Sequence, residues 1–161
     1  MKYQLLNALL LTSMAAAFAP ATVATTWYVD GVSGSDGNNC TSADTACATI
    51  GHAISLAASG DSIIVAPAIY AENLGITKSL TILGSGATTT IIDGGGSGHV
   101  VGIFGVHVTL IDMTIRHGAE NFLRGGGVEN QGVLTLTRIT ASSVQIPKRD
   151  SSPLQTVLKI L

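Results

Sequence analysis

From residue 62 to about residue 144 the chain is written as short runs of Ile, Val, Leu and Thr separated by glycine-rich corners. The runs are residues 63–65, 80–83, 90–92, 100–101, 108–111 and 134–137. Apolar and polar positions alternate within them, the pattern of strands with one buried face. Three runs share an apolar-Thr-apolar template, and Thr81, Thr109 and Thr135 recur at intervals of 28 and 26 residues. A near-constant interval of that size predicts a repeat architecture, each unit burying its apolar face on the next. Aligned on the threonines, Leu80/Ile82, Val108/Leu110 and Leu134/Leu136 point inward, and Thr81, Thr109 and Thr135 form an outward ladder. The same alignment sets Asp112 opposite Arg138, a surface ion pair between rungs worth about 0–1 kcal/mol.

The flanks follow other patterns. Residues 27–30 read as a strand and residues 31–39 as a turn-rich loop. Residues 48–59 read as an amphipathic helix, with Ile50, Ala53, Ile54 and Ala57 at helical spacing and Gly60 as its stop. Beyond residue 144 the glycine corners vanish, and Lys148, Arg149 and Lys159 stand against one acidic residue, Asp150. Ser152-Pro153 reads as a helix start there, with Leu154, Val157, Leu158 and Leu161 on one face. At the other end, Lys2, an apolar stretch from Leu5 to Ala19 and small residues up to Ala24 read as a cleaved secretory signal. About 15 apolar residues fall short of the roughly 20 that span a bilayer. The expected organisation is a signal peptide (1–24), an N-terminal cap (25–61), stacked rungs (62–144) and a divergent tail (145–161).

Composition narrows the function. The 161 residues carry a net charge of −2 and only 11% charged side chains, against roughly 25% in an average domain. No basic patch for nucleic acid is available, and 46% hydrophobic residues exclude an acidic disordered segment. Export places the two cysteines, Cys40 and Cys47, in an oxidising compartment, where a local disulfide is expected. So short a loop stabilises by on the order of 2–3 kcal/mol. Two cysteines alone make a poor metal site, and no histidine lies at finger-like spacing.

The residues as a series resemble a known group. Residues 27–36 (WYVDGVSGSD) resemble the opening of secreted right-handed parallel β-helix proteins of the pectin-lyase-like fold, in their surface or outer-membrane form. Residues 47–54 (CATIGHAI) look like the capping helix of that group, and 60–67 (GDSIIVAP) with 70–73 (YAEN) like its first rung. Residues 78–84 (KSLTILG), 91–94 (IIDG) and 125–132 (GGGVENQG) continue the likeness through about residue 142. It implies an all-β fold: a right-handed parallel β-helix with an N-terminal capping helix and about three to four rungs. Two positions depart from it. Ala68 replaces a usual glycine and is expected to strain that turn, and residues 138–144 (RITASSV) drift from the family's next turn. The drift fits either a frame-shifted or truncated longer chain, or a genuine cap in which residues 152–161 form an amphipathic helix over the open end.

Enzymes of that fold set acidic residues, often with Arg or Lys, on an outer sheet face, for calcium-assisted proton abstraction or paired-carboxylate hydrolysis. The outward candidates here are Asp112 and Arg116 on one rung and Arg138 on the next, with no paired aspartates; they are read as structural. Asp93 is read as a turn residue, and His52, His99, His107 and His117 as surface or turn histidines rather than ligands. Asp30, Asp36, Asn38 and Asn39 are read as turn formers, with calcium as the lesser alternative and no other cofactor expected. Asn39-Cys40-Thr41 is formally a glycosylation sequon. The expected function is a non-catalytic exported protein, secreted or at the cell surface or outer membrane, for display, adhesion or contact with extracellular polysaccharide. The alternatives are a polysaccharide lyase or glycoside hydrolase lacking its site rungs, and a non-functional truncated remnant.

Overall fold

The structure is a computed structural model that describes residues 23–119, 126–141, 144–145 and 156–159. All but the last two residues of the expected signal peptide (1–24) lie outside the described residues. In chain order the elements are β1 (Thr26–Val29), α1 (Ile50–Leu56), β2 (Ser62–Val65), β3 (Ala68–Tyr70), β4 (Leu74–Ile76), β5 (Leu80–Gly84) and β6 (Thr90–Asp93). They are followed by β7 (Val101–Arg116), β8 (Val128–Ala141), β9 (Val144–Gln145) and β10 (Thr156–Lys159). The β-branched, alternating runs became strands, and every strand pairing is parallel.

The chain winds as a right-handed parallel β-helix with three faces. The first stacks β1, β2, β5, the middle of β7, β8 and β10. The second stacks β3, β6 and the ends of β7 and β8. The third stacks β4, the starts of β7 and β8, and β9. Thus β7 and β8 each pass through all three faces. They bend where the pairing shifts between Phe104 and His107, and again at Asp112 (φ 55°) and Arg138 (φ 51°). Inside, Ile63, Ile82, Leu110 and Leu136 form one buried column, and Leu74, Val101 and Val128 another. Each fully buried side chain of this size contributes about 1.5–3 kcal/mol.

The helix is shorter than its periodicity predicts, ending at Leu56, because side chains from the rungs take over its termini. Thr49 caps the start, its hydroxyl accepting from the His52 N–H. Glu72 accepts from the Ile50 and Gly51 N–H groups at 2.9 and 2.8 Å. At the other end the Lys78 ammonium donates to the carbonyls of Ile54, Ser55 and Ala57. Tyr70, in the same YAEN run as Glu72, donates its hydroxyl to the Ala66 carbonyl and accepts from the Gly31 N–H. Asn73 donates to the carbonyls of Ser97 and His99, tying one rung to the next. Ala68 opens β3 with no positive φ, so the strain expected from its missing glycine does not arise.

The tail corrects one expectation. Residues 156–159 are a strand, not part of a capping helix, and pair in parallel with residues 134–137 of β8. The open row of β8 N–H and C=O groups is the physical reason. It offers a β-branched stretch a ladder, which outweighs a weak intrinsic helical preference.

Two outcomes are expected. Replacing Glu72 by Ala frees two helix N–H groups and lowers stability by about 1–2 kcal/mol, read as a lower midpoint in urea with unchanged far-ultraviolet dichroism. Deleting residues 146–161 uncovers the β8 edge, and light scattering then shows oligomers; a strictly monomeric deletion with an unchanged melting temperature refutes the edge argument.

Candidate functional site

The outward residues of the first face form two continuous rows. Register pairing runs Thr26, Ser62, Thr81, Thr109, Thr135, so the ladder of three threonines read from the repeat extends to five half-buried hydroxyl residues. The neighbouring row is Tyr28, Ile64, Leu83, Ile111, Thr137. Parallel strands space these side chains about 4.8 Å apart along the stack. At one margin, Gly60, Asp61, Ser79, Leu80, Thr81, His107 and Thr109 line a shallow open cavity of about 200 Å³. His107 is exposed there, and its N–H donates to the Ser79 hydroxyl.

Asp61, at the floor of this cavity, is buried but fully satisfied. It accepts from the Thr25 N–H, the Trp27 indole and the Ala58 N–H at 2.8, 2.9 and 2.8 Å. Burial pushes its carboxyl up, but these donors and the Lys78 charge outweigh that and hold it below the usual carboxylate range.

The expected outward set divides between two corners. Asp112 and Arg138 meet at the bend between the first and second faces, the guanidinium donating through Nε and Nη2 to both carboxylate oxygens. The Arg138 hydrogen bond holds the Asp112 carboxyl low. Arg116 does not join them. It lies at the end of the second face and donates to Asp93 at 2.9 Å.

Asp93 does serve its turn, accepting from the Gly95 N–H at 3.0 Å, but it also gathers a cluster. His117 Nδ1 sits 3.0 Å from both Asp93 oxygens, on a backbone at φ 53°. The Gly95 N–H first, then Arg116 and His117, hold the Asp93 carboxyl low against its partial burial. With Asp93 ionised, Nδ1 is the donor, and Nε2 lies on the side of the exposed ring away from that carboxylate. The turn that follows carries His99, whose Nε2 lies 2.9 Å from the buried Glu129 carboxylate, itself accepting from Gln131. The Asp93–Arg116–His117 cluster and the His99–Glu129 pair are not legible in the sequence, because their members lie far apart along the chain. The interval of 23 or 24 residues from Asp93 to Arg116 and His117 is the available signal.

In the cap, the disulfide Cys40–Cys47 is formed, with Cα atoms 5.1 Å apart. Of the four side chains considered for calcium, Asp30, Asp36 and Asn39 have oxygens engaged by the protein. Asp30 accepts from Val32, Ser33 and the Ser33 hydroxyl, and Asp36 from Ala48, Thr49 and the Thr49 hydroxyl. Asn38 donates to Ala46, and Asn39 accepts from Thr41 and Thr45. His52 joins the two cysteines: ligand atoms of all three lie within 4.8 Å of one another.

No protein-family model matches the chain, and no curated protein matches it. Among solved structures it is similar to pectin methylesterase PemA from Erwinia chrysanthemi, with a TM-score of 0.55 and 15% identity. The match covers 86% of this chain and 46% of that one, so the chain spans just under half of the enzyme's length. The likeness establishes the fold, the parallel β-helix shared by pectin-lyase-like proteins. Among the described residues no helix is long and apolar enough to cross a membrane.

The carboxylates predict the acid response. A carboxyl whose folded pKa is depressed stabilises above its unfolded pKa, about 3.9, and loses that contribution as pH falls through the lower folded value. Asp36, Asp61 and Asp93 are all held low. The melting temperature is therefore expected to fall as pH drops below about 4. Asp61→Asn is expected to lower the plateau near neutrality and flatten that fall; an unchanged acid slope in Asp61→Asn shows that this group is not linked to folding.

Proposed function

We propose that the chain is an exported β-helix protein whose first face binds an extended polysaccharide without transforming it. The supporting observation is the pair of in-register rows, hydroxyl residues from Thr26 to Thr135 beside Tyr28, Ile64, Leu83 and Ile111. A polysaccharide presents ring hydroxyls and apolar C–H surface in a linear repeat. Hydroxyl side chains donate and accept toward the first, and aliphatic and aromatic side chains cover the second. The carboxylates beside the rows are already engaged by the protein: Asp112 by Arg138, Asp61 by Thr25, Trp27 and Ala58, and Asp30 by Val32 and Ser33. The cleaved signal and the surface or secreted location belong to the same reading.

Affinity electrophoresis against soluble polysaccharides, acidic and neutral, tests it. Replacing Thr81, Thr109 and Thr135 together by Val removes three hydroxyls at nearly constant volume. Retardation is expected in the parent and at least tenfold weaker binding in the triple variant, the equivalent of about 1.4 kcal/mol. Retention of no polysaccharide, or equal retention of both proteins, rejects this face.

The Asp93–Arg116–His117 corner favours a second reading, a carbohydrate-active enzyme, because an oriented imidazole beside a guanidinium is able to move a proton on an acidic sugar. The similar solved structure is a pectin methylesterase, which makes methyl-esterified pectin the substrate to try. Release of methanol or of unsaturated oligosaccharides, abolished by His117→Ala, would promote this reading over the first.

A further inference from the structure

The cap holds a second arrangement with chemistry of its own. Cys40, Cys47 and His52 offer two sulfurs and one imidazole nitrogen, all within 4.8 Å of one another. Both cysteines are fully buried and His52 is half-buried.

Each of the three positions is fixed by backbone contacts that do not depend on the S–S bond. Cys47 is laced to β1, donating to the Tyr28 carbonyl at 2.9 Å and accepting from the Asp30 N–H at 2.8 Å. Cys40 accepts from the Tyr28 N–H at 2.8 Å and donates to the Thr45 carbonyl at 2.9 Å. His52 stands in the first turn of α1, its N–H on the Thr49 hydroxyl, and Thr49 is in turn held by the Asp36 carboxylate. Opening the disulfide therefore leaves the two thiols and the imidazole facing one another.

We propose that the reduced cap is a zinc site, with the thiolates of Cys40 and Cys47 and one His52 ring nitrogen as ligands and water in the fourth position. Two sulfurs and a nitrogen are a donor set suited to tetrahedral Zn²⁺, with Zn–S near 2.3 Å and Zn–N about 2.0–2.1 Å. Ligand atoms spread over 4.8 Å need only side-chain rotation to reach those lengths. Two equivalents of a low-molecular-weight thiol reduce the disulfide to two cysteine thiols and are themselves oxidised to one disulfide. Zinc then displaces the two thiol protons. A low-molecular-weight disulfide re-forms the Cys40–Cys47 bond by exchange: it takes the pair's two electrons and two protons from water, leaves as two thiols, and the ion, having lost both thiolates, is released. Zinc closes the cap in a reducing compartment, such as the one in which an exported chain is made, and the disulfide closes it in an oxidising one.

The full chain, reduced with a phosphine under argon, is titrated with Co²⁺ as a spectroscopic probe and then with Zn²⁺. The expected result is a sulfur-to-cobalt charge-transfer band with tetrahedral d–d bands, saturating at one equivalent and erased by one equivalent of Zn²⁺. The oxidised protein shows neither. His52→Gln, which keeps both cysteines, is expected to bind at least tenfold more weakly. No band in the reduced protein overturns the proposal, and so does equal affinity in His52→Gln, which reduces the site to a bare dithiol. Where reduction alone unfolds the cap, Zn²⁺ must restore the dichroism of the folded chain; failure to do so also overturns it.

Discussion

The stack depends on one column of side chains, Ile63, Ile82, Leu110 and Leu136, each from a different coil and each fully or almost fully buried. No single coil can cover its own aliphatic face, so a coil is stable only while its neighbours sit in register above and below it. A slip of one residue would turn the column outward and the hydroxyl row inward. Everything on the surface inherits that register: the hydroxyl row, the apolar row beside it, and the ion pairs at the bends. The tight corners are the cost, and Asp112, His117 and Arg138 all adopt left-handed backbone there. All three side chains are also bonded to a group on the neighbouring coil, Asp112 and Arg138 to each other and His117 to Asp93.

The N-terminal cap solves a different problem. A helix of seven residues is too short to be stable alone. Here charged groups from outside the helix saturate its ends: Glu72 and the Asp36–Thr49 pair at the start, Lys78 after its last turn. Asp61 takes the next free N–H, at Ala58, and also holds the Trp27 indole. Acid on the N–H end and base on the carbonyl end also match the helix dipole. The first coil thus shapes the cap, and the cap closes the edge of the first coil.

The two readings of function occupy different parts of the same β-helix. The first face is broad and regular, with no charged residue in either row, which suits a long repetitive ligand held by many weak contacts. The corner after the second face is charged, with the Asp93 carboxylate holding the Arg116 guanidinium and the His117 imidazole at hydrogen-bond distance. The fold permits both, because strands set the lateral faces while the turns between them vary freely.

The alternation of residues determined the strands, the inward column and the threonine ladder, because a period of two with a near-constant repeat interval leaves one register. The opposition of Asp112 and Arg138 followed from the same count. The chain alone did not determine the end of the helix, since Lys78 and Asp61, which terminate it, are recognisable as partners only when folded. It did not bring Asp93 to His117, or His52 to the two cysteines, because turns of unequal length set those meetings and their lengths carry no period. Nor did it place residues 156–159: their apolar spacing suits a helix as well as a strand, and the open ladder of β8 decided between them.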